Sequence, residues 1–511
     1  MSESTLPPSP KPNRAWVTVS VMLTTIMQAV DTTIANVALP HMQGTMGATQ
    51  EQISWVLTSY IVAAAIFMPL TGFMSARVGR KRVFMVSVAG FTLASMLCGA
   101  AQSLPQIVLF RLLQGIFGAC LVPLSQSVLL DAYPRERHGW AMAIWGMGVM
   151  VGPIVGPSLG GWLTEYYSWR WVFYINLPLG LLAWFGLATY VKETPVDPNR
   201  QFDWLGFVLL STGIAALQLM LDRGQSQDWF HSPEVVIEAM IVCFGLYLFV
   251  AHMFTCNHPY IEPDLFKDRN FSVGLMLIFM VGVILLASLA LLPPFLQNLM
   301  GYPVVDVGVL LAPSGIGTMM AMIIVGKLAG RFEARLVIGF GLCLTSLSMW
   351  QMTKFTTDIT SWTVISTGLL QGFGLGFIFV PLTTLTFASL APHLRNEGTA
   401  LFSLIRNIGG SIGISVVITY LAQRTQINHA VFSEAINPFN FGLQMAIEAG
   451  SVDLNTSLGL AMANTEVTRQ AALLAYLQDF RLMMFVSLSA LPLVFLLGPS
   501  KQQPWPDPQP T

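Results

Sequence analysis

Gly72-Phe-Met-Ser-Ala-Arg-Val-Gly-Arg-Lys81 returns in outline as Gly326-Lys-Leu-Ala-Gly-Arg-Phe-Glu-Ala-Arg335. Leu112-Leu-Gln-Gly115, followed by Val122-Pro-Leu-Ser125, returns as Leu370-Gln-Gly372, followed by Val380-Pro-Leu-Thr383. The first pair lies 254 residues apart and the second 257. An offset of this size, which keeps the hydrophobic segments between the motifs in step, is the trace of a duplicated helical bundle, and membrane transporters are commonly built that way.

Working outward, the composition agrees with a membrane location. Hydrophobic residues make up 54% of the chain and charged residues 10%, against roughly 25% charged in a soluble domain; the chain reads as an all-α polytopic membrane protein. The formal net charge is −1 and the only basic tract is the short Arg77–Arg82 stretch, so nothing points to nucleic acid. Cys98, Cys120, Cys243, Cys256 and Cys343 are odd in number and mostly inside apolar runs, which indicates neither a disulfide framework nor a metal cluster. The seven histidines show no ligand spacing, and no metal is expected. Residues 1–15 are polar and Pro-rich and lead into a full-length apolar run, which reads as a cytoplasmic tail and not a cleaved signal peptide.

Crossing a hydrocarbon core of about 30 Å takes roughly 20 helical residues. Apolar runs of that order lie near 16–39, 53–75, 83–101, 105–131, 139–161, 170–190, 204–221, 235–255, 271–292, 304–329, 335–353, 361–389, 398–421 and 481–498, fourteen spans in all. An even count puts both termini on one side. With the N-terminus inside, seventeen of the 25 Lys and Arg fall in cytoplasmic segments, six outside, and Arg111 and Arg406 within the membrane; this excess makes both termini cytoplasmic. If spans one to six match the last six, the expected organisation is a six-helix bundle over 16–190, two inserted helices with linkers over 191–270, a second bundle over 271–498, and a cytoplasmic tail over 499–511. The longest connection, 422–480, falls outside, with stretches such as 461–477 able to form short amphipathic helices. A connection this long is usually functional; a tolerated surface insertion is the competing reading.

An ionisable side chain at the centre of a spanning helix costs at least about 2.5–3.5 kcal/mol on insertion scales, so such residues face a cavity or a partner. Three stand out: Asp31, Arg111 and Arg406. At 1.5 Å per residue, Asp31 and Arg111 fall at similar depth, about 8–10 Å below the outer surface. Burial favours the neutral acid and a nearby guanidinium favours the carboxylate. Between these opposing influences a carboxylate can exchange protons when its pocket changes access or occupant, as a proton-coupled carrier requires. A fixed structural ion pair is the alternative. Arg406 either binds backbone carbonyls or a phosphate headgroup, or serves transport. In the fifth span Gly148, Gly152, Gly156 and Gly160 recur every fourth residue and so share a face that lets another helix come very close, while Pro153 and Pro157 remove backbone donors and bend the helix.

These residues together resemble the major facilitator superfamily, and within it the fourteen-helix drug:proton antiporters. Gly72–Arg82 resembles the loop motif between helices two and three, and Leu109-Phe-Arg-Leu-Leu-Gln-Gly115 the helix-four motif with its embedded arginine. The run from Gly148 to Gly161 resembles the helix-five antiporter motif, and Asp31-Thr-Thr-Ile-Ala-Asn-Val-Ala-Leu-Pro40 a segment shared among multidrug exporters. Leu217–Phe230, Phe266–Phe271 and Asn437-Pro-Phe-Asn440 extend the likeness to the inner-membrane members of tripartite efflux pumps, over essentially the whole chain. One position departs: Ala76 stands where the loop motif usually has an acid before its arginine, which leaves Arg77 without that partner.

The resemblance implies two six-helix pseudo-repeats plus two inserted helices in a bacterial inner membrane. It implies export of amphipathic or hydrophobic drugs against protons that enter from outside, with no cofactor beyond the proton gradient. Implied partners are a membrane-fusion adaptor, for which the long outer connection is a candidate contact, and an outer-membrane channel. By the same resemblance Asp31 and Arg111 couple protons, Gln28, Thr32, Asn36 and Gln114 line the substrate cavity, and Gly148, Gly152, Pro153, Gly156, Pro157, Gly160 and Gly161 form the conformational motif. Gly72, Arg77, Gly79, Arg80 and Lys81 form the cytoplasmic gate loop. A proton-linked uptake carrier for a polar metabolite would need more intramembrane charge. A membrane-scaffolded sensor or enzyme would need a soluble domain, phosphate loop or nucleophile with base that the sequence does not show.

Overall fold

A computed structural model of the chain describes residues 14–328, 332–434 and 456–498, with isolated positions between 436 and 454. The tails expected before residue 14 and after 498 lie outside the described residues, as do Ala329–Arg331 of the second loop motif and Pro438 of the Asn437–Asn440 motif. All regular structure among the described residues is helical: α1 (Arg14–Met46), α2 (Gln50–Phe67), α3 (Leu70–Val78), α4 (Arg80–Ala100), α5 (Leu104–Gly118), α6 (Leu121–Ala132), α7 (His138–Tyr166), α8 (Trp171–Tyr174), α9 (Asn176–Tyr190), α10 (Trp204–Arg223), α11 (Pro233–Thr255), α12 (Asp264–Lys267), α13 (Arg269–Pro294), α14 (Val304–Leu328), α15 (Ala334–Met352), α16 (Ser361–Ala388), α17 (Arg395–Glu434), α18 (Ser457–Ser489) and α19 (Leu491–Phe495).

Local chemistry sets these boundaries. Thr49 and Gln52 form a reciprocal capping box at the start of α2, and the side chains of Asp268, Thr360 and Thr456 accept the orphan N–H groups at the starts of α13, α16 and α18. Around Pro69 the chain bends by 55° between α2 and α3, because proline deletes a helical hydrogen bond. Gly79, at φ 102°, turns the chain from α3 into α4, a conformation that side chains with a Cβ rarely adopt.

Among the described residues, twelve helices are long and apolar enough to cross a membrane, and thirteen if the bent α2–α3 pair is one span. The expected span 335–353 is a helix, α15, but does not join that set. Its buried hydroxyls lower its apolar character: Thr345 and Ser346 bond back to their own helix and Ser348 to the carbonyl of Thr367 on α16. The outer connection is also more regular than expected. Most of 422–480 is continuous helix, since α17 runs on to Glu434 and α18 begins at Ser457. Ala, Leu, Met, Glu and Gln dominate 461–477, all strong helix formers, and Asn428 on α17 donates to the carbonyl of Ala471 on α18 at 3.2 Å.

The described chain divides into two compact units. The first runs to Ser211 and includes His252–Pro263 and Leu390–Ser403; the second holds Thr212–Ala251, Asp264–Ser389 and the rest from Leu404. In the first, Val30, Ile34, Val56, Cys98, Ile107 and Phe173 belong to one buried apolar cluster contributed by five helical segments. In the second, small residues allow backbone contact: a Cβ at Gly372 would strike the carbonyl of Ser314, and one at Gly282 the carbonyl of Arg406.

Candidate proton-coupling site

Asp31 projects from α1 into the apolar cluster of the first unit, where it is fully buried, and Arg111 from α5 is 1% exposed beside it. The Arg111 guanidinium donates from Nη1 to Asp31 Oδ2 at 2.8 Å. Asp31 Oδ1 takes two further donors, Gln114 Nε2 at 2.8 Å and Asn176 Nδ2 at 2.7 Å. The guanidinium also donates to Gln114 Oε1 at 2.8 Å and, from Nε, to the carbonyl of Val56 at 3.1 Å. It lies 4.4 Å from the ring centroid of Tyr60, a cation–π contact strengthened by the absence of water. Asn176 donates as well to Ser95 Oγ, which in turn donates to the carbonyl of Phe173. Six helical segments, α1, α2, α4, α5, α8 and α9, thus contribute to one sealed network. A buried ion pair is tolerable only when its remaining lone pairs and protons are bonded, and here Gln114, Asn176 and Val56 supply those bonds.

The expected substrate-lining residues fare differently. Gln114 is fully buried and spends both ends of its amide on Asp31 and Arg111, so it belongs to the ion-pair network and does not line an open cavity. Its place three residues after Arg111 on the same helix puts the two side chains on one face. Gln28 is half-buried and donates to the hydroxyl of Tyr60 at 3.3 Å, Thr32 bonds back to its own helix, and Asn36 is exposed. Asn176, Ser95 and Tyr60 escaped the sequence reading because neutral polar side chains are common in membrane helices. Asn176, an amide in the apolar run after Phe173, was the one visible signal.

On α7, Gly152 meets the carbonyl of Ala29, Gly156 the hydroxyl of Thr33 and Gly160 the side chain of Ile34, with no room for a Cβ at any of the three. Gly148 meets the methyl of Met22. Thr33 donates to the carbonyl of Gly152 at 3.0 Å. The stripe therefore presses α7 onto the part of α1 that carries Asp31. Pro153 and Pro157 sit within the helix between these glycines, whereas Gly161 faces open space.

At the loop motif, Gly72 packs on Glu397, with 3.0 Å left for a Cβ. Arg80 is 6% exposed and pairs with Asp131 at 2.5 Å; Arg395 pairs with the other oxygen of Asp131 at 2.5 Å. Ser127 donates to Asn396, and Arg80 to Ser127. The amides of Lys81 and Arg82 donate to the carboxylate of Glu193, which so caps the N-terminus of α4, and the Lys81 ammonium reaches the carbonyl of Ala188. Arg77 is exposed and lies 5.8 Å from the ring of Phe73, and the ion pairs that fasten this loop, a polar latch, centre on Asp131, which takes two arginines. No signal in the sequence marks Asp131, Glu193, Arg395 or Glu397, because their partners are distant along the chain.

Asp203, His252 and Cys256 also come within 4.8 Å of one another, a proximity the sequence spacing hid. Asp203 accepts from the amides of Gly206 and Tyr260 and lies 2.9 Å from His252 Nε2, which fits a helix cap at α10. In the second unit, the positions 257 residues after Asp31 and Gln114 are Ser288 and Gln371, and Gln371 Nε2 donates to Ser288 Oγ at 2.7 Å. Gly368 stands at the offset of Arg111. The repeat keeps the polar contact and loses both charges. Arg406 is half-buried on α17.

Residues 21–414 match the family model of the Major Facilitator Superfamily. The chain is 34% identical over 487 residues to the fatty acid resistance protein FarB of Neisseria gonorrhoeae, covering 95% of this chain and 96% of that one. It is 37% identical over 459 residues to the multidrug export protein EmrB of Haemophilus influenzae, covering 88% and 89%. To EmrB of Escherichia coli K12 it is 34% identical over 486 residues, covering 94% and 95%. Among solved structures, the human organic anion transporter MFSD10 aligns with a TM-score of 0.59 at 14% identity, over 93% of this chain and all of that one, which bears on the fold alone. With its all-helical units, its apolar spans and these relatives, the chain belongs to the major facilitator superfamily and is a multi-pass membrane transporter similar to EmrB over most of its length.

Proposed function

We propose that the protein exports amphipathic or hydrophobic compounds in exchange for protons, with Asp31 as the group that binds and releases the proton. The observation that carries this reading is the sealed pair of Asp31 and Arg111. Three N–H donors occupy the carboxylate oxygens, so an arriving proton must displace at least one of them, and the displaced Arg111, Gln114 or Asn176 would move α5 or α9 relative to α1. The glycine contacts between α1 and α7 carry such a movement into the rest of the unit. A proton entering down a membrane potential yields about 2.3 kcal/mol per 100 mV, enough for a useful concentration ratio.

The protein acts as the pump of a tripartite system in the inner membrane, both termini cytoplasmic, with a membrane-fusion adaptor of the EmrA type and an outer-membrane channel of the TolC type. The multidrug export names of the relatives support this reading, as does the α17–α18 hairpin, which exposes Phe439, Phe441, Leu458 and Met462 near its tip. The name of FarB and the intramembrane cation Arg406 favour amphipathic anions among the compounds carried. Proteoliposome export under an imposed pH gradient, with a panel of hydrophobic weak acids and cationic dyes, tests the proposal. Gradient-driven export is expected in wild type and abolished in Asp31→Asn, which keeps volume but cannot titrate. Unchanged coupling in that variant would sink the assignment.

A further inference from the structure

The second unit contains an acid that the coupling scheme above does not use. Asp479 on α18 has no solvent-accessible surface, and neither of its carboxyl oxygens has a hydrogen-bond partner among the described residues. Counted back at 1.5 Å per residue from Leu496, whose carbonyl accepts from Arg269 at the expected cytoplasmic end, Asp479 lies about 26 Å away, so the last span begins before its expected start at 481 and takes Asp479 into the outer part of a core about 30 Å thick. Its surroundings are dry and aromatic. Tyr476 and Phe480 on α18 pack edge-on against Phe295, and Phe355 packs against Phe295 and Phe480.

Among the described residues no cation offsets this burial. On its own helix Arg481 is exposed, two residues and so about 200° around the axis. On α17, Arg424 lies against the ring of Tyr420 and His429 against Asn464. Beyond α15, Lys354 sits on the ring of Trp350, while Arg335 and Arg269 open α15 and α13 at their cytoplasmic ends. Tyr476, a titratable neighbour, stands three residues before Asp479 on the same helix, about one turn away. An isolated carboxylate in such a place is far costlier than the neutral acid.

A second feature marks the same place. Directly beside Asp479's helix, α13 ends at Pro293–Pro294 in a π-helical turn, Phe295–Leu299. Such turns are rare and occur frequently at functional sites, and its Phe295 is the residue that closes over Tyr476 and Phe480.

We propose that Asp479 is a second proton-binding site of the carrier, loaded from the outer aqueous phase and emptied when the π-helical turn withdraws Phe295 and lets water reach the carboxyl. The step is an acid dissociation: the O–H bond breaks, the proton passes to water, and the carboxylate left behind is solvated. This extends the antiport reading, on which its role in transport rests, to the repeat that lacks the Asp31–Arg111 pair.

Infrared spectroscopy of the purified wild-type protein with 13C-carboxyl aspartate tests the loaded state without any variant. A protonated-carboxyl C=O band at neutral pH that shifts with the label is expected, persists in Asp31→Asn and is missing from Asp479→Asn. Its absence from wild type, or its persistence in Asp479→Asn, overturns the proposal. In proteoliposomes Asp479→Asn is expected to slow gradient-driven export at least tenfold while drug still equilibrates down its own gradient, and Asp479→Glu to restore part of the driven rate. A wild-type pH profile in Asp479→Asn overturns the exchange of the proton. Retained coupling in Asp31→Asn, run in parallel, would strike the helix-one assignment and leave the Asp479 result standing.

Discussion

At the scale of residues, the Asp31 site is a balance between three donors and one acceptor group. Each N–H directed at the carboxylate ties it into the network, and an arriving proton must displace one. Arg111→Ala is therefore expected to lower proton-driven export. Arg111→Lys should recover part of that loss, because an ammonium keeps the charge but not the planar fork that also reaches Gln114 and Val56. Asn176→Leu should lower export by less, since it removes a neutral donor. Initial rates of proton-driven export check all three, and an unchanged rate in Arg111→Ala would separate the ion pair from coupling. Asp31 and Arg111 were legible in the sequence because charge in an apolar span is costly enough to need a partner. Gln114 was legible as polar but not as spent, and Asn176 and Ser95 carry no charge to raise them above the background.

At the scale of elements, close helix approach and the polar latch make separable demands. Gly152→Leu would drive a side chain into the carbonyl of Ala29 and displace the Thr33 hydrogen bond. Overpacking alone costs about 1–3 kcal/mol, so the variant should unfold at lower temperature and lose export, whereas Gly161→Ala, which meets open space, should match wild type. Thermal unfolding in detergent and liposome export together decide this. The latch gives a second contrast. Asp131→Ala strands Arg80 and Arg395, both mostly buried, and loss of one partner from a buried pair is strongly destabilising, though Asp131 is about one-third exposed and solvent softens the effect. Arg77→Ala removes an exposed side chain. The expected order of unfolding temperature is therefore Arg77→Ala close to wild type and Asp131→Ala clearly below it; equal values would deny the latch its role. The four-residue glycine period was readable without a structure because a helix puts such positions on one face. The latch was not, since Arg80 finds Asp131 and Arg395 only after the chain has folded back from 51 and 315 residues away. The apolar runs revealed the helices, yet the extension of α17 and α18 beyond the expected spans was hidden, because those parts are held by helix propensity and by contacts such as Asn428 with Ala471 and not by hydrophobicity.

At the scale of the whole molecule, duplication has kept a polar contact in both repeats and charged only one of them, so the two units are not equivalent machines. The second has instead acquired the α17–α18 hairpin. Beyond the expected end of its span at residue 421, α17 continues to Glu434, about 20 Å of rod, and the exposed Phe439, Phe441, Leu458 and Met462 near the turn would sit in water unless a partner covers them. Phe439 is 93% exposed. Replacing residues 432–460 with a short Gly/Ser linker removes those side chains and leaves Asn428, Ala471 and Asp479 in place. If the hairpin docks an adaptor, this deletion should leave proton-driven export by the purified protein at the wild-type rate, since liposomes contain no partner. It should destroy drug resistance in cells with a double envelope, where a compound left between the membranes returns. The argument turns on length: joining two antiparallel helices takes about 2–8 residues, so rods of this extent with an apolar tip need another reason. A deletion that stops liposome export as fully as Asp31→Asn would place the hairpin in the carrier's own gating and remove the docking surface from the account.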